Sequence, residues 1–259
     1  MRGAARERWA RFQNRRRAGG RARRRYEQQR KTWLRRHRRT WWAVYGAAVV
    51  FWLIFWALMR LYPGDQSWST SAVAGGLVAT ILVMRQSPPV AIANWQAGAY
   101  GEEETAKVLR PLERDGWIVL HDLVNGSGNF DHVVLGPNGV FCLNSKWSSY
   151  RLEETDAGRL IGRHEYDEDV TLDVEHTLRR ARAEASALSR QVQARCGQKL
   201  WVQPVIVWWG PVANGGKLLD GVGVVQGKYL ADRLRTQRGQ PIRNYEAVVA
   251  GLRPGRHKR

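Results

Sequence analysis

An uninterrupted run of nineteen uncharged residues constrains this chain more than any other feature. Residues 41–59 have the sequence WWAVYGAAVVFWLIFWALM. At about 1.5 Å per residue, a helix of this length measures roughly 28 Å, close to the ~30 Å hydrocarbon core of a bilayer. Trp41, Trp42 and Trp56 lie towards its ends, where tryptophan favours the membrane–water interface. The run therefore predicts a transmembrane helix.

Two other interpretations fit this run less well. A cleaved signal peptide has a shorter apolar segment, whereas this long run follows forty other residues. A surface helix of a soluble protein shows a polar stripe, and this run has none.

A second uncharged stretch, residues 66–84, has the sequence QSWSTSAVAGGLVATILVM. Its small residues, among them Gly75 and Gly76, suit close helix–helix packing in lipid. The segment Tyr62–Asp65 contains Pro and Gly and predicts a turn between the two stretches. We therefore expect a two-helix transmembrane hairpin with both flanks on the same side of the membrane.

The net charge of +19 is concentrated ahead of the first span. Residues 1–40 contain seventeen of the 42 Lys and Arg and two of the 23 Asp and Glu, so they carry +15 and the rest of the chain carries +4. By the positive-inside rule, this basic tail is cytoplasmic, and the hairpin returns residues 85–259 to the same side. The two cysteines exclude a disulfide framework and fit a reducing compartment. We expect a multi-pass protein of the cell membrane, with its tail and its C-terminal domain in the cytoplasm.

Three interpretations of the basic tail stay open. It can set the topology and attract anionic membrane lipid. It can bind nucleic acid through release of counterions. It can also reflect a general preference for arginine in this chain.

Beyond the second span, the sequence divides into a linker at 85–96, one α/β domain at 97–252 and a basic tail at 253–259. Helical spacing of apolar residues runs from about Trp95 to Leu109. Pro111, two residues further on, is expected to stop the helix. The remaining predicted strands and helices are Trp117–His121, Asp131–Leu135, Val140–Lys146, Tyr150–Leu152, Arg159–Gly162, a helix at Leu172–Arg195, strands Trp201–Trp209 and Gly223–Gln226, and helices Lys228–Arg235 and Ile242–Leu252.

Acidic and basic side chains converge on one predicted hairpin. Asp131 begins a strand, Lys146 ends the next strand, and Gly136–Gly139 form the turn between them. Asn144 and Lys146 are two residues apart and so share one face of the sheet. Glu102 points towards the buried side of the preceding helix. These groups suit phosphodiester hydrolysis, in which carboxylates hold a divalent metal that activates water and a lysine stabilises charge on the phosphate.

Three segments extend this pattern: GAYGEEETAKVL (98–109), GNFDHVVLGPNGVFCLNSKW (128–147) and WVQPVIVWWG (201–210). Together they resemble the nuclease-related domain, NERD, of the PD-(D/E)xK restriction-endonuclease-like superfamily, over about residues 97–235. The resemblance implies an α/β fold with a restriction-endonuclease-like mixed sheet flanked by helices, preceded here by the transmembrane hairpin. It also implies an active site that binds Mg²⁺ or Mn²⁺ through Glu102, Asp131 and position 144, with Lys146 as a further catalytic residue and DNA or RNA as substrate.

Position 144 departs from the family pattern, which usually has Glu or Asp there. Asn144 can offer a metal a carbonyl oxygen but no charge. Two functions therefore stay open: a membrane-anchored nuclease using Glu102, Asp131, Asn144 and Lys146, or a catalytically degenerate domain that binds nucleic acid or a protein at the membrane. A lipid-surface scaffold held by the basic tail is a third.

Other polar and aromatic residues are expected to be structural. His132 should face away from Asp131 and pack in the sheet, and His121 with Asp122 fits ordinary loop polarity. The acidic loop at 164–168 matches no strong metal-ligand spacing. Trp147 and the pair Trp208–Trp209 are expected to pack in the core or at the sheet edge rather than to act as platforms on which bases stack.

Overall fold

The computed structural model describes residues 18–61, 67–126, 128–164, 166–167, 169–237, 239–242 and 245–252. Within them, residues 24–96 form one compact unit, and residues 18–23 with 97–252 form another. The predictions for residues 1–17, for the turn at 62–65 and for the tail at 253–259 lie outside the described residues.

The first unit contains two long apolar helices, α2 (Arg38–Met59) and α3 (Ser67–Gln86), which follow α1 (Gly20–Arg36). Both are long and apolar enough to span a membrane. Trp52 Nε1–H donates to the Thr70 carbonyl oxygen at 3.2 Å, and a guanidinium N–H of Arg85 donates to the Tyr45 hydroxyl at 3.0 Å. The first contact joins the second half of α2 to the start of α3, and the second joins the first half of α2 to the end of α3. The two helices therefore pack antiparallel.

The next helix, α4 (Val90–Arg114), departs from the sequence prediction at both ends. It begins before Trp95, so much of the segment 85–96 expected as a linker is helical. It also continues through Pro111, which was expected to end it. Proline costs roughly 3 kcal/mol inside a helix, but this one is followed by Leu112, which is fully buried. Burying such a side chain returns about 1.5–3 kcal/mol.

Six strands form one mixed sheet, as the sequence predicts. The first three strands across the sheet pair antiparallel. The third pairs parallel with the fourth and the fourth pairs parallel with the fifth, and the sixth pairs antiparallel with the fifth. The strands are β1 (Ile118–Asn125), β2 (Gly128–Gly136), β3 (Gly139–Trp147), β7 (Val202–Trp209), β8 (Gly216–Leu219) and β9 (Val222–Gln226). Their order across the sheet is β1-β2-β3-β7-β9-β8. Strand β8 was not predicted.

A smaller antiparallel sheet contains β4 (Arg151–Glu154), β5 (Leu160–Arg163) and β6 (Thr171–Asp173). Strand β6 was also missed, because its residues were assigned to the long helix α5 (Glu175–Cys196) that follows. All three residues of β6 are exposed, so no alternation of buried and exposed residues marks it as a strand.

Helices cover both faces of the six-stranded sheet, so the predicted α/β architecture is confirmed. Two further helices, α6 (Leu230–Thr236) and α7 (Tyr245–Leu252), complete the domain. Helices α5 and α7 share one core cluster with residues such as Val133 and Cys142. Helices α4 and α6 share a second cluster with residues such as Phe141.

The sheet opens where the pairing of β2 and β3 ends. Strands β2 and β3 pair from Gly136 opposite Gly139 as far as His132 opposite Leu143. Beyond that pair, β3 continues beside β7 up to Trp147. The residues that precede His132 on β2 and those that follow Leu143 on β3 therefore lie beyond the β2–β3 ladder, where a side chain can bond to the backbone.

Candidate functional site

Asp131 lies where β2 and β3 separate. Its Oδ2 accepts a hydrogen bond of 3.0 Å from the backbone N–H of Ser145, so the carboxylate takes the place of a ladder partner. The residue keeps part of its surface exposed, although protein surrounds most of the carboxylate. Burial, opposed by the ammonium of Lys146, raises the pKa of Asp131 to about 6.

Glu102 reaches the same region from helix α4 and is buried. Burial, followed by repulsion from Asp131 and Asp122, raises the pKa of Glu102 to about 9. A backbone hydrogen bond from Gly19 N–H to Glu102 Oε2, 3.0 Å long, acts in the opposite direction. Because the charge of Asp131 raises the pKa of Glu102, a bound cation would stabilise the ionised forms of both carboxylates.

Lys146 connects these two acids. Its charge lowers the pKa of both Glu102 and Asp131, and its side chain is partly exposed near the end of β3. The structure thus places Glu102, Asp131 and Lys146 within electrostatic range of one another. Asp131 and Lys146 are each partly exposed, whereas Glu102 is buried.

Asn144 is buried on the same strand and faces a residue that the sequence analysis missed. Its Nδ2–H donates to Glu184 Oε2 of helix α5 at 2.9 Å, and Glu184 Oε1 accepts from Arg180 Nε–H at 2.8 Å. Glu184 is close enough to raise the pKa of Asp131. Asn144 Oδ1 is buried and has no hydrogen-bond partner among the described residues.

A signal for Glu184 was present in the sequence. It lies three residues after Ala181 and four before Leu188, both of which belong to the buried stripe of α5. The same spacing argument singled out Glu102 on α4. Glu184 has the corresponding position on α5 but was not predicted to be a site residue.

The donor atoms at this site fit a hard divalent cation in type. They are carboxylate and amide oxygens, which suit Mg²⁺ or Mn²⁺. The unpartnered Asn144 Oδ1 is an acceptor that an ion or a water could satisfy. Among the described residues, however, no three Asp, Glu, His or Cys side chains are positioned to hold one ion without rearranging.

The two histidines nearest the site form a pair inside the sheet. His121 and His132 lie opposite each other on β1 and β2, with their Nδ1 atoms 2.6 Å apart. Burial lowers the pKa of both rings, so they are neutral near pH 7. Asp122, within β1, accepts a hydrogen bond of 2.8 Å from Asn129 Nδ2–H.

An unpredicted segment of the tail also contacts this region. We call residues 18–23 the N-terminal strap. Arg21 donates to the carbonyl oxygen of Gly128 at the start of β2, at 2.8 Å. Arg23 forms a 3.2 Å ion pair with Glu103 on α4. The strap therefore belongs to the same compact unit as the site.

Comparison with known protein families identifies one domain in this chain. Residues 97–209 match the family model of the nuclease-related domain, which belongs to the restriction-endonuclease-like superfamily. The matched residues include all five polar residues of the site: Glu102, Asp131, Asn144, Lys146 and Glu184. Neither a curated protein nor a solved structure was found to match the chain.

Proposed function

We propose that the nuclease-related domain carried at residues 97–209 hydrolyses phosphodiester bonds of DNA or RNA in a metal-dependent reaction. The observation that supports this most is the grouping of Glu102, Asp131 and Lys146 where β2 and β3 separate. Carboxylates next to a lysine at an open strand end suit a phosphate substrate better than a neutral one.

Each residue has a distinct role in this proposal. Glu102 and Asp131 would hold Mg²⁺ or Mn²⁺, and their mutual repulsion would be relieved on binding. The ion would supply a Lewis acid for the phosphate and lower the pKa of the attacking water. Lys146 contacts the phosphate and stabilises the negative charge that develops there. Asn144 contributes its unpartnered Oδ1.

Glu184 compensates for the missing acid at position 144 in this proposal. Its carboxylate is only 12% exposed and touches Asn144 directly. It therefore returns a negative charge to the place where the family pattern has one. Its ion pair with Arg180 reduces that charge but fixes its position.

The two apolar helices α2 and α3 would anchor this domain to the membrane. Their antiparallel packing puts both flanks on one side, and the basic flank before α2 favours the cytoplasmic side. The tail would also attract anionic lipid. The protein would thus act on nucleic acid close to the cytoplasmic face of the membrane.

A cleavage assay tests the proposal. The full-length protein in detergent, with Mn²⁺, should cut plasmid or single-stranded oligonucleotides. Asp131→Asn and Lys146→Ala should each reduce the rate by about 10²-fold or more. Asp156→Asn, in an exposed turn of the same domain, should leave it unchanged. Equal cutting by wild type and Asp131→Asn would indicate a contaminating nuclease and contradict the proposal.

A catalytically degenerate binding module is the second candidate, and position 144 favours it. Asn144 carries no charge, and Glu184 is already engaged by Arg180. This candidate predicts that the wild type binds nucleic acid without cutting it, while Asn144→Asp gains Mn²⁺-dependent cutting. The same assay therefore separates the two functions.

A further inference from the structure

Two half-exposed aromatic side chains flank the candidate site and have no part in the proposed chemistry. Tyr100 lies two residues before Glu102 on α4, and Trp147 follows Lys146 at the end of β3. Their exposed fractions are 50% and 49%. Trp147 was expected to pack in the core or at the sheet edge, but its ring is accessible to a ligand.

The ring of Trp147 is held in place from behind. It stacks on Trp209 of β7, with ring centroids 6.5 Å apart and planes inclined by 22°. Trp209 is fixed in turn, because its Nε1–H donates to Thr105 Oγ1 at 2.9 Å and Thr105 is fully buried. The ring of Tyr100 lies beside that of Trp147, with the centroids 6.2 Å apart and the planes inclined by 45°. The two half-exposed rings form one aromatic surface.

This surface is directly connected to the proposed chemistry. The α4 backbone at Gly101 packs against β3 so closely that an added Cβ would lie 3.3 Å from Trp147 N and 3.6 Å from Lys146 C. The aromatic residues and the groups proposed to handle phosphate are therefore at the same end of β3. A ligand that combines a phosphate with a flat apolar ring would match both.

The charges beside the two rings do not oppose an anionic ligand. Glu103 and Glu104, which follow Glu102 on α4, are each paired with a cation. Arg23 pairs with Glu103, and Lys107 pairs with Glu104. Two carboxylates that follow Glu102 on α4 are thus each balanced by a neighbouring cation.

We propose that Tyr100 and Trp147 form a stacking platform for an unpaired nucleobase, so that the preferred ligand is single-stranded nucleic acid. Bases stack readily on exposed aromatic rings, whereas a duplex hides the faces of its bases inside the helix. This inference rests on the proposed nucleic-acid ligand, but it does not require cleavage.

The test measures binding without turnover. The full-length protein in detergent, with EDTA, is titrated against a fluorescent oligothymidylate and against a duplex of the same length. Trp147→Leu and Tyr100→Ala should each weaken single-strand binding by about tenfold, with little effect on the duplex. Trp201→Ala is the matched control, because Trp201 is 59% exposed at the opposite end of β7, and it should bind like wild type.

Each outcome of this test is decisive. Unchanged binding by both platform variants, or equal binding of single strand and duplex by wild type, would overturn the platform. A component of the fluorescence quenching by brominated lipid in proteoliposomes that is present in wild type and lost in Trp147→Leu would assign this surface to the membrane and also overturn it. Platform-dependent binding by a wild type that never cuts would support the platform and overturn only the proposed hydrolysis.

Discussion

The proposed catalysis depends on the contact between Asn144 and Glu184. The amide is neutral, and the helix carboxylate that touches it at 2.9 Å restores a charge. If that charge supports a metal ion, Glu184→Gln should weaken Mn²⁺ binding by about 10–100-fold, as expected for loss of a group that supports metal ligands. Asn144→Asp should strengthen it. Mn²⁺ titration of the full-length variants measures both changes.

The double variant provides the control for this pair. Asn144→Asp with Glu184→Gln moves the carboxylate from helix to strand, and its Mn²⁺ affinity should return close to that of wild type. If Glu184→Gln alone binds Mn²⁺ as wild type does, Glu184 is only a helix-surface acid.

Glu102 makes the stability of the metal-free protein depend on pH. Its pKa rises from 4.5 in the unfolded chain to about 9 in the folded domain, chiefly through burial. The folded state therefore binds this proton more tightly, and the stabilisation is complete below pH 4.5 and is lost as the pH rises towards 9. Glu102→Gln mimics the protonated acid and should remove this dependence.

Melting temperatures in EDTA measure this effect. At pH 8, Glu102→Gln should melt higher than wild type, by on the order of 5 °C, and the two should converge near pH 5. Glu113→Gln, on the same helix, is the matched control and should show a much smaller effect. Parallel melting curves for wild type and Glu102→Gln from pH 5 to pH 9 would contradict the prediction.

The residues that the sequence could identify are those fixed by local pattern. Asp131 and Lys146 follow from one hairpin, and Glu102 follows from helical spacing together with the family resemblance. Glu184 lies forty positions after Asn144, and its contact depends on how α5 packs against the sheet. Only the apolar stripe of α5 pointed towards it.

At the scale of elements, the N-terminal strap shows what local sequence could not predict. Gly19 has φ +73°, and an added Cβ would lie 2.9 Å from the Ala99 carbonyl oxygen. Gly19→Val should therefore undock the strap, because it adds both backbone strain and a steric clash. Trypsin should then cut after Arg21 and Arg23 about tenfold faster, as followed by mass spectrometry.

A second glycine on α4 controls for this experiment. Gly98 has open space around its Cβ position, so Gly98→Ala should leave cleavage at the strap unchanged. Unaltered tryptic cleavage in Gly19→Val would show that the strap is not held by this contact.

The errors in element boundaries have a common cause. Pro111 does not end α4, because tertiary packing around Leu112 outweighs the local preference. Strands β6 and β8 are three and four residues long, and exposure along β6 removes the alternation that identifies a strand. The long buried strand β7 was predicted nearly in full, because an apolar run carries its own signal.

At the scale of the whole molecule, the charge distribution predicts the topology. The basic tail precedes α2, and the two helices that are long and apolar enough to span a membrane pack antiparallel. In cells expressing the protein, a membrane-impermeant maleimide should therefore label Gly64→Cys from outside. It should label Asp156→Cys only after permeabilisation. Labelling of Asp156→Cys in intact cells would contradict the cytoplasmic placement of the domain.

The proposed function requires Glu102, Asp131 and Lys146 to form one metal-dependent site. Manganese titration of the full-length protein, followed by electron paramagnetic resonance, tests this directly. We predict one Mn²⁺ bound per chain, lost in Asp131→Asn and in Glu102→Gln but retained in Glu113→Gln. No bound Mn²⁺ in the wild type, or equal binding by Asp131→Asn, would contradict the account.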